Sequence, residues 1–409
     1  MEEKHSLEEN AIAVSESDDL EIIESNQDII SDDPVTKEDI ENLVIYSRDW
    51  TIETIISQIE SGNIDLNPAF QRRNVWENDK RSKLIESFIV GYPVPEVVLA
   101  EIPGKKKQYV VIDGKQRLLA IHGFFKPENK YWKGKAELKG LTIRKDLEGV
   151  SFDRLDGDDL RLLNNSDLRC TILSGYQTTA VLYDVFYRLN TGSVPLSMQE
   201  LRNSLHKGDF SVFITEKTNS EIPLHAIMSL PGPDKRFKDI EVMLKFLALN
   251  FNKDKYNGNL KVFLDGFTEY ANQSWSSNNK LITNACDEFD QACLLLIDIF
   301  NTPKLVGRKW VPIKDNWESR FNRSVFEVLV QYAFNIIKDG NSALFSGDNE
   351  KKDFFFLFFK KKNITGKKFK FFVTTTKKTF EKHSIRFNVL FGILNSKFGL
   401  HYTLPHTIQ

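Results

Sequence analysis

An apolar, β-branched run that halts at Asp-Gly and resumes with helical spacing constrains this chain more than any other segment: Tyr109-Val110-Val111-Ile112-Asp113-Gly114-Lys115-Gln116-Arg117-Leu118-Leu119-Ala120-Ile121. Residues 109–112 have the bulk and branching of a buried strand, and Leu118, Leu119 and Ile121 fit one helical face. Strand, tight turn and helix start together aim backbone N–H groups and the positive end of a helix dipole at an anion. Gly114 allows a backbone conformation closed to other residues, or the close approach of a ligand. Lys115 and Arg117 add full charges to that partial one. Taken alone, the segment fits an anion site and a structural turn capped by Asp113 equally well.

The 409 residues leave room for two or three compact domains. A composition 41% hydrophobic and 27% charged is that of a globular chain, and no apolar run is long enough to span a bilayer. The acidic start lacks the basic-then-apolar layout of a signal peptide, so the expected compartment is the cytoplasm and no membrane partner is expected. Three cysteines, Cys170, Cys286 and Cys293, have neither zinc-site spacing nor the even count of a disulfide framework. The net charge of −2 conceals a polarity, with acids crowding residues 1–41 and lysines crowding 351–382. Phe369, Phe371, Phe372 and Phe380 interleave those lysines, a composition that suits either a nucleic-acid surface or a packed element with a solvated lysine face.

Helical spacing is visible in Thr51–Glu60 and Lys80–Val90, the second ended by Gly91 and Pro93. Glu96–Ile102 and Gln108–Ile112 read as strands joined by a turn at Gly104-Lys105-Lys106-Lys107. Residues 127–170 are broken by Gly134, Gly140, Gly149 and Gly157 and read as strands and loops. Beyond Thr178 the pattern is helical, notably in 243–249, 260–270, 285–300 and 321–337, and the dense run Phe354–Phe359 reads as buried core.

Two further blocks bear on the turn. The first is Asn67-Pro68-Ala69-Phe70-Gln71-Arg72-Arg73-Asn74-Val75-Trp76 with Lys80-Arg81-Ser82-Lys83-Leu84-Ile85-Glu86-Ser87 behind it. The second is Phe186-Tyr187-Arg188-Leu189-Asn190-Thr191-Gly192 followed by Gln199-Glu200-Leu201-Arg202-Asn203. With the Asp-Gly-Lys-Gln-Arg turn between them, these blocks resemble, in order, the N-terminal domain of GmrSD-type modification-dependent restriction enzymes, over about Asp49–Phe210. The resemblance implies an α+β fold: a ParB/sulfiredoxin-like domain over 41–214, after an acidic leader at 1–40 and before a mostly α-helical domain over 215–409. It also implies an NTP-binding, NTP-hydrolysing protein acting on DNA in prokaryotic defence, with nucleotide and Mg²⁺ as ligands and a separate nuclease subunit as a further partner.

On that implication Asp113 and Arg117 are the catalytic candidates, Asp113 also facing metal. Gln71, Arg72, Gly114, Lys115, Gln116, Arg188 and Asn190 are the phosphate-binding candidates. Arginine suits the role because its rigid fork matches phosphate oxygens in pairs. Lys115 stands where the family usually has glutamine, so it either strengthens phosphate binding or points to solvent from the first helical turn. Trp76 is expected to pack beneath the domain, and Glu200, Arg202 and Asn203 to form a local structural ion-pair network. A non-catalytic, nucleotide-gated binding module is the competing reading, and phosphoryl transfer of sulfiredoxin type lacks a cysteine near the turn.

There is no Gly-x-x-x-x-Gly-Lys-Ser/Thr loop and no Gly-x-Gly-x-x-Gly after a strand. The His-Asn-His nuclease pattern common in the related enzymes is also missing. Asp113 with Glu137-Leu138-Lys139 has the order of a metal-dependent nuclease core, a triplet common by chance.

Overall fold

Why the helix after the first strand forms where it does is local. Thr51 accepts a hydrogen bond from the Thr54 N–H and so caps α2 (Ile52–Glu60), whose Ile52, Ile55 and Ile56 fall on one buried face. It follows a four-residue helix, α1 (Lys37–Ile40), and a long strand, β1 (Val44–Thr51). The computed structural model describes residues 35–66, 76–129, 131–189, 197–308, 310–311, 316–351 and 380–403. They form two compact units, Val35–Ser220 with Pro233–Ile240, and Glu221–Gly232 with the chain from Glu241 onward.

The first unit is α+β. After α2 come β2 (Ile64–Asp65), α3 (Asn78–Val90), β3 (Val97–Glu101), β4 (Tyr109–Asp113) and α4 (Lys115–Phe125). Then follow α5 (Gly157–Asn165), β5 (Asp167–Ser174), α6 (Thr179–Leu189), α7 (Met198–Leu205) and α8 (Asp209–Asn219). One mixed sheet has the order β1-β5-β3-β4-β2. The β1/β5 and β3/β4 pairs are antiparallel, while β3/β5 and β2/β4 are parallel. β3 and β4 are buried along nearly their whole length, as expected of continuous apolar runs covered on both faces. Their ladder contains an irregularity between Val98 and Leu99, beside the Val98–Asp113 pairing. Such an extra residue bends a strand and re-aims its neighbours, here at the site end of β4.

The region 127–170 differs from the expected strands and loops. It contains short 3₁₀ turns, the helix α5 capped by Asp156, and one strand, β5. Its turns are tied down by carboxylates. Glu86 on α3, almost fully buried, accepts from the N–H groups of Thr142, Ile143 and Arg144, and Arg144 in turn pairs with Asp146 and Asp159. Burial alone would raise the Glu86 carboxyl, but the three N–H donors and the Thr142 hydroxyl outweigh it and hold the pKa below the usual value.

The second unit is helical: α9 (Pro223–Ile227), α10 (Lys238–Phe251, in this unit from Glu241), α11 (Leu260–Gln273), α12 (Trp275–Phe300), α13 (Arg323–Lys338) and α14 (Phe380–Phe398). A small hairpin, β6 (Trp310–Val311) and β7 (Asn316–Trp317), precedes α13. Phe246, Phe289, Phe326 and Phe334 interlock in the core, and Asn250 and Gln331 exchange two buried side-chain hydrogen bonds of 2.9 Å. Cys286 and Cys293 are buried on α12, and neither is in a disulfide. No helix among the described residues is long and apolar enough to cross a membrane. The aromatic run 354–359 and nearly all of the lysine-rich stretch lie outside the described residues.

Candidate functional site

The β4–α4 turn is built by one residue that must lack a side chain. Gly114 has φ 90° and ψ 10°, and a Cβ there would lie 2.7 Å from Val97 Cγ2 and 3.1 Å from Arg117 Nη2. This lets the chain reverse from strand to helix directly over β3. The first turn of α4 contains no acidic residue and receives no side-chain cap, so the acidic side chain adjoining its positive end in the chain is that of Asp113.

Asp113 and Arg117, four residues apart, meet across that turn. Arg117 Nη2 donates to Asp113 Oδ2 at 2.6 Å and to the Glu96 carbonyl at 2.8 Å. Both side chains are only partly exposed, at 27% and 15%. The Glu96 carboxylate is itself held by the Thr171 hydroxyl at 2.7 Å. Arg117 Nε and Gln116 Oε1 are buried without a hydrogen-bond partner. Buried polar atoms of native proteins are nearly always satisfied; the unsatisfied Arg117 N–H is chemically suited to an acceptor such as a phosphate oxygen, whereas the Gln116 oxygen needs a donor. The turn therefore offers a fixed guanidinium, an adjacent carboxylate, and a backbone that no Cβ crowds.

Lys115 does not point to solvent. It is buried in the first turn of α4, and burial depresses its pKa while the field of Glu200 opposes that shift. Glu200 lies on α7, which packs against β4. Burial raises its carboxyl, with Lys115, the Ser197 backbone and Arg236 pulling in the other direction. Of Glu200, Arg202 and Asn203, expected to form a local ion-pair network, Arg202 and Asn203 join a buried chain of hydrogen bonds through Gln199. Arg202 donates to Gln199 at 2.6 Å and Gln199 donates to Asn203 at 2.8 Å. The Ser197…Glu200 capping box was visible in the sequence as Ser-x-x-Glu, but its burial against β4 was not.

Of the other candidates, Arg188 sits on α6 with its side chain 76% exposed, paired with Asp184 at 2.9 Å. α6 also packs against β4. Gln71, Arg72 and Asn190 lie outside the described residues. Trp76 packs partly buried against the sheet-domain core, with the Lys80 ammonium 4.5 Å over its ring. Glu137, of the chance nuclease triplet, pairs with Arg154. No three His, Cys, Asp or Glu side chains cluster as a metal-ligand set among the described residues. Cys170 is buried in β5, and burial pushes its thiol up to about 12, far from nucleophilic.

A mixed sheet whose buried strand ends in a paired aspartate and arginine at a helix start defines an α+β domain with a tight strand-to-helix turn. Residues 52–207 match the family model described as the GmrSD restriction endonuclease, N-terminal domain. The match contains the whole turn, α6 and α7. No curated protein and no solved structure matches the chain.

Proposed function

We propose that this restriction-endonuclease-related protein binds a nucleotide through its phosphates at the Asp113–Arg117 turn and couples that binding, with hydrolysis, to action on DNA. The observation that carries the reading is the Gly114 turn with Arg117 locked to Asp113 and the Glu96 carbonyl, leaving Arg117 Nε without a partner. A preset guanidinium loses less side-chain entropy when a phosphate arrives than a free one would. Gln116 and the α4 N-terminus supply further polar groups, and Asp113 is the side chain able to face Mg²⁺, whose chemistry when bound is charge neutralisation between phosphate oxygens. The mixed five-stranded sheet and the place of the turn at the end of β4 support a ParB/sulfiredoxin-like kinship as part of the same reading. DNA is the expected partner because the matched family is one of restriction enzymes.

The test is phosphate release from each of the four NTPs with Mg²⁺, with and without DNA, in wild type, Arg117→Ala and Asp113→Ala. Turnover in wild type that both substitutions remove supports an NTPase centred on the turn. Binding without turnover, abolished by Arg117→Ala, replaces hydrolysis with a nucleotide-gated switch. Neither binding nor turnover overturns the proposal.

A further inference from the structure

We infer that Glu96 reads the sugar of the nucleotide: its carboxylate accepts hydrogen bonds from the ribose hydroxyls of a ribonucleotide whose phosphates lie on Arg117. The inference rests on the phosphate reading of the turn and names the sugar that goes with it. Glu96 stands exposed immediately before β3, and its backbone carbonyl accepts from Arg117 Nη2 at 2.8 Å. Its side chain therefore starts at a hydrogen-bond partner of the guanidinium. From there it reaches the neighbouring strand β5, where Oε2 accepts from the Thr171 hydroxyl at 2.7 Å. Thr171 has one hydroxyl proton and gives it to Glu96, so in the 2.9 Å contact between Thr171 and Ser47 it is Ser47 that donates. A chain of hydroxyls thus runs from β1 across β5 to Glu96, with its donors directed toward the carboxylate.

That chain fixes one carboxylate oxygen and leaves the other open. Glu96 Oε1 has no hydrogen-bond partner, and the carboxylate is in no ion pair, among the described residues. Arg169, two residues before Thr171 and on the same face of β5, is held instead by Asp49 through bonds of 2.9 and 3.1 Å. A carboxylate beside a phosphate site repels the phosphate, so it serves that site only through a part of the ligand that donates or is cationic. Glu96 and Asp113 have no third His, Cys, Asp or Glu to complete a metal-ligand set among the described residues. A ribose offers two adjacent hydroxyls, and a carboxylate is the acceptor-only side chain able to take them. Because Thr171 sets the carboxylate before the sugar arrives, less order is lost on binding.

The test is binding of tripolyphosphate, the four ribonucleoside triphosphates and their 2′,3′-dideoxy counterparts to the full chain, with and without Mg²⁺, in wild type, Glu96→Ala and Glu96→Gln. Both variants keep the backbone carbonyl that holds Arg117. Wild type is expected to bind the ribonucleotides about 10- to 100-fold tighter than the dideoxynucleotides. Glu96→Ala should bring that ratio to within about twofold, and Glu96→Gln, an acceptor without the charge, should fall between. Tripolyphosphate, which has no sugar, should bind both variants at least as tightly as wild type, and its binding also shows that the turn is intact. Tripolyphosphate bound by wild type with no preference for ribose overturns the inference, as does a preference that survives in Glu96→Ala. Tripolyphosphate weakened in step with the nucleotides overturns it too, making Glu96 a brace for Arg117. So does an effect of Glu96→Ala seen only with Mg²⁺, which makes Glu96 a metal ligand. If wild type binds neither tripolyphosphate nor any nucleotide, the phosphate reading itself fails and this inference falls with it.

Discussion

Replacing Gly114 by alanine tests the turn at its tightest point. Two separate terms oppose the new methyl group. The backbone sits at φ 90°, where an L side chain costs about 1–2 kcal/mol. The Cβ then falls 2.7 Å from Val97 Cγ2 and 3.1 Å from Arg117 Nη2, an overlap that buried neighbours relieve at about 1–3 kcal/mol. The sum, about 2–5 kcal/mol, corresponds to a fall of about 5–15 °C in the thermal midpoint of a domain this size. Gly91 supplies the control, since it has φ 76° and nothing within 4 Å of the place a methyl group would take, so Gly91→Ala carries the backbone cost alone. Chemical denaturation of both variants, and of Gly114→Ala with Val97→Ala, resolves the terms. Val97→Ala should be less damaging in the Gly114→Ala background than in wild type, because it removes the atom in conflict. Equal losses for Gly114→Ala and Gly91→Ala would refute the steric argument, and with it the claim that the turn must run this close to β3.

Glu86→Gln replaces an acceptor of three N–H groups by a side chain that also presents donors, and is expected to cost about 2–3 kcal/mol at neutral pH by urea unfolding. Because the folded-state pKa lies below its ordinary value, the charge-dependent part is complete above that value and lost as pH falls through the folded pKa, so the gap between wild type and variant should close in acid. Arg188→Ala, at an exposed pair, should change unfolding free energy by less than about 0.5 kcal/mol, so that any loss of NTP affinity in titration reports a direct phosphate contact. In the helical unit, Asn250→Leu and Gln331→Leu should each cost about 1–3 kcal/mol by leaving a buried amide unpaired, and the double variant less than their sum in a denaturation cycle.

How much of this was legible in the chain depends on whether the signal was local. β4, the Gly turn and α4 were readable because Val110, Val111 and Ile112 stop at a residue that tolerates positive φ. α2, α3 and α10–α13 were readable from their apolar spacing, and Gly91 ends α3 where the sequence suggests. β1 left no signal because it is an edge strand with most of both faces exposed, so Val44–Thr51 has no reason to alternate. α5 was obscured by Gly157, which reads as a breaker but stands at the first helical position behind the Asp156 cap. The site splits in the same way. Gly114 and the i,i+4 pair of Asp113 and Arg117 follow from adjacency in the chain. The Glu96 carbonyl that holds Arg117, the Val97 side chain that excludes a Cβ, and Glu200, whose field acts on Lys115, come from other elements. Only the sheet register and the packing of α7 on β4 bring them in.

On the proposed reading, a phosphate reaches a guanidinium whose Nη2 is already given to Asp113 and Glu96. Either it accepts from the remaining donors and leaves the pair intact, or it displaces Asp113. Displacement strands a carboxylate beside the phosphate. Two unit negative charges about 4 Å apart at an effective dielectric of about 20 repel by about 4 kcal/mol. One charge-assisted hydrogen bond, worth about 1.5–3 kcal/mol, does not offset that. Displacement therefore requires a divalent cation on Asp113, whereas the first route does not. The two routes differ in the ratio of NTP dissociation constants with and without Mg²⁺. If Asp113 is released to a cation, wild type binds more than tenfold tighter with Mg²⁺, and Asp113→Asn, which keeps the shape of the acceptor but not its charge, brings the ratio close to one. If the pair stays closed, the asparagine leaves the ratio unchanged, and Asp113 is then a brace for Arg117 with no part in metal binding.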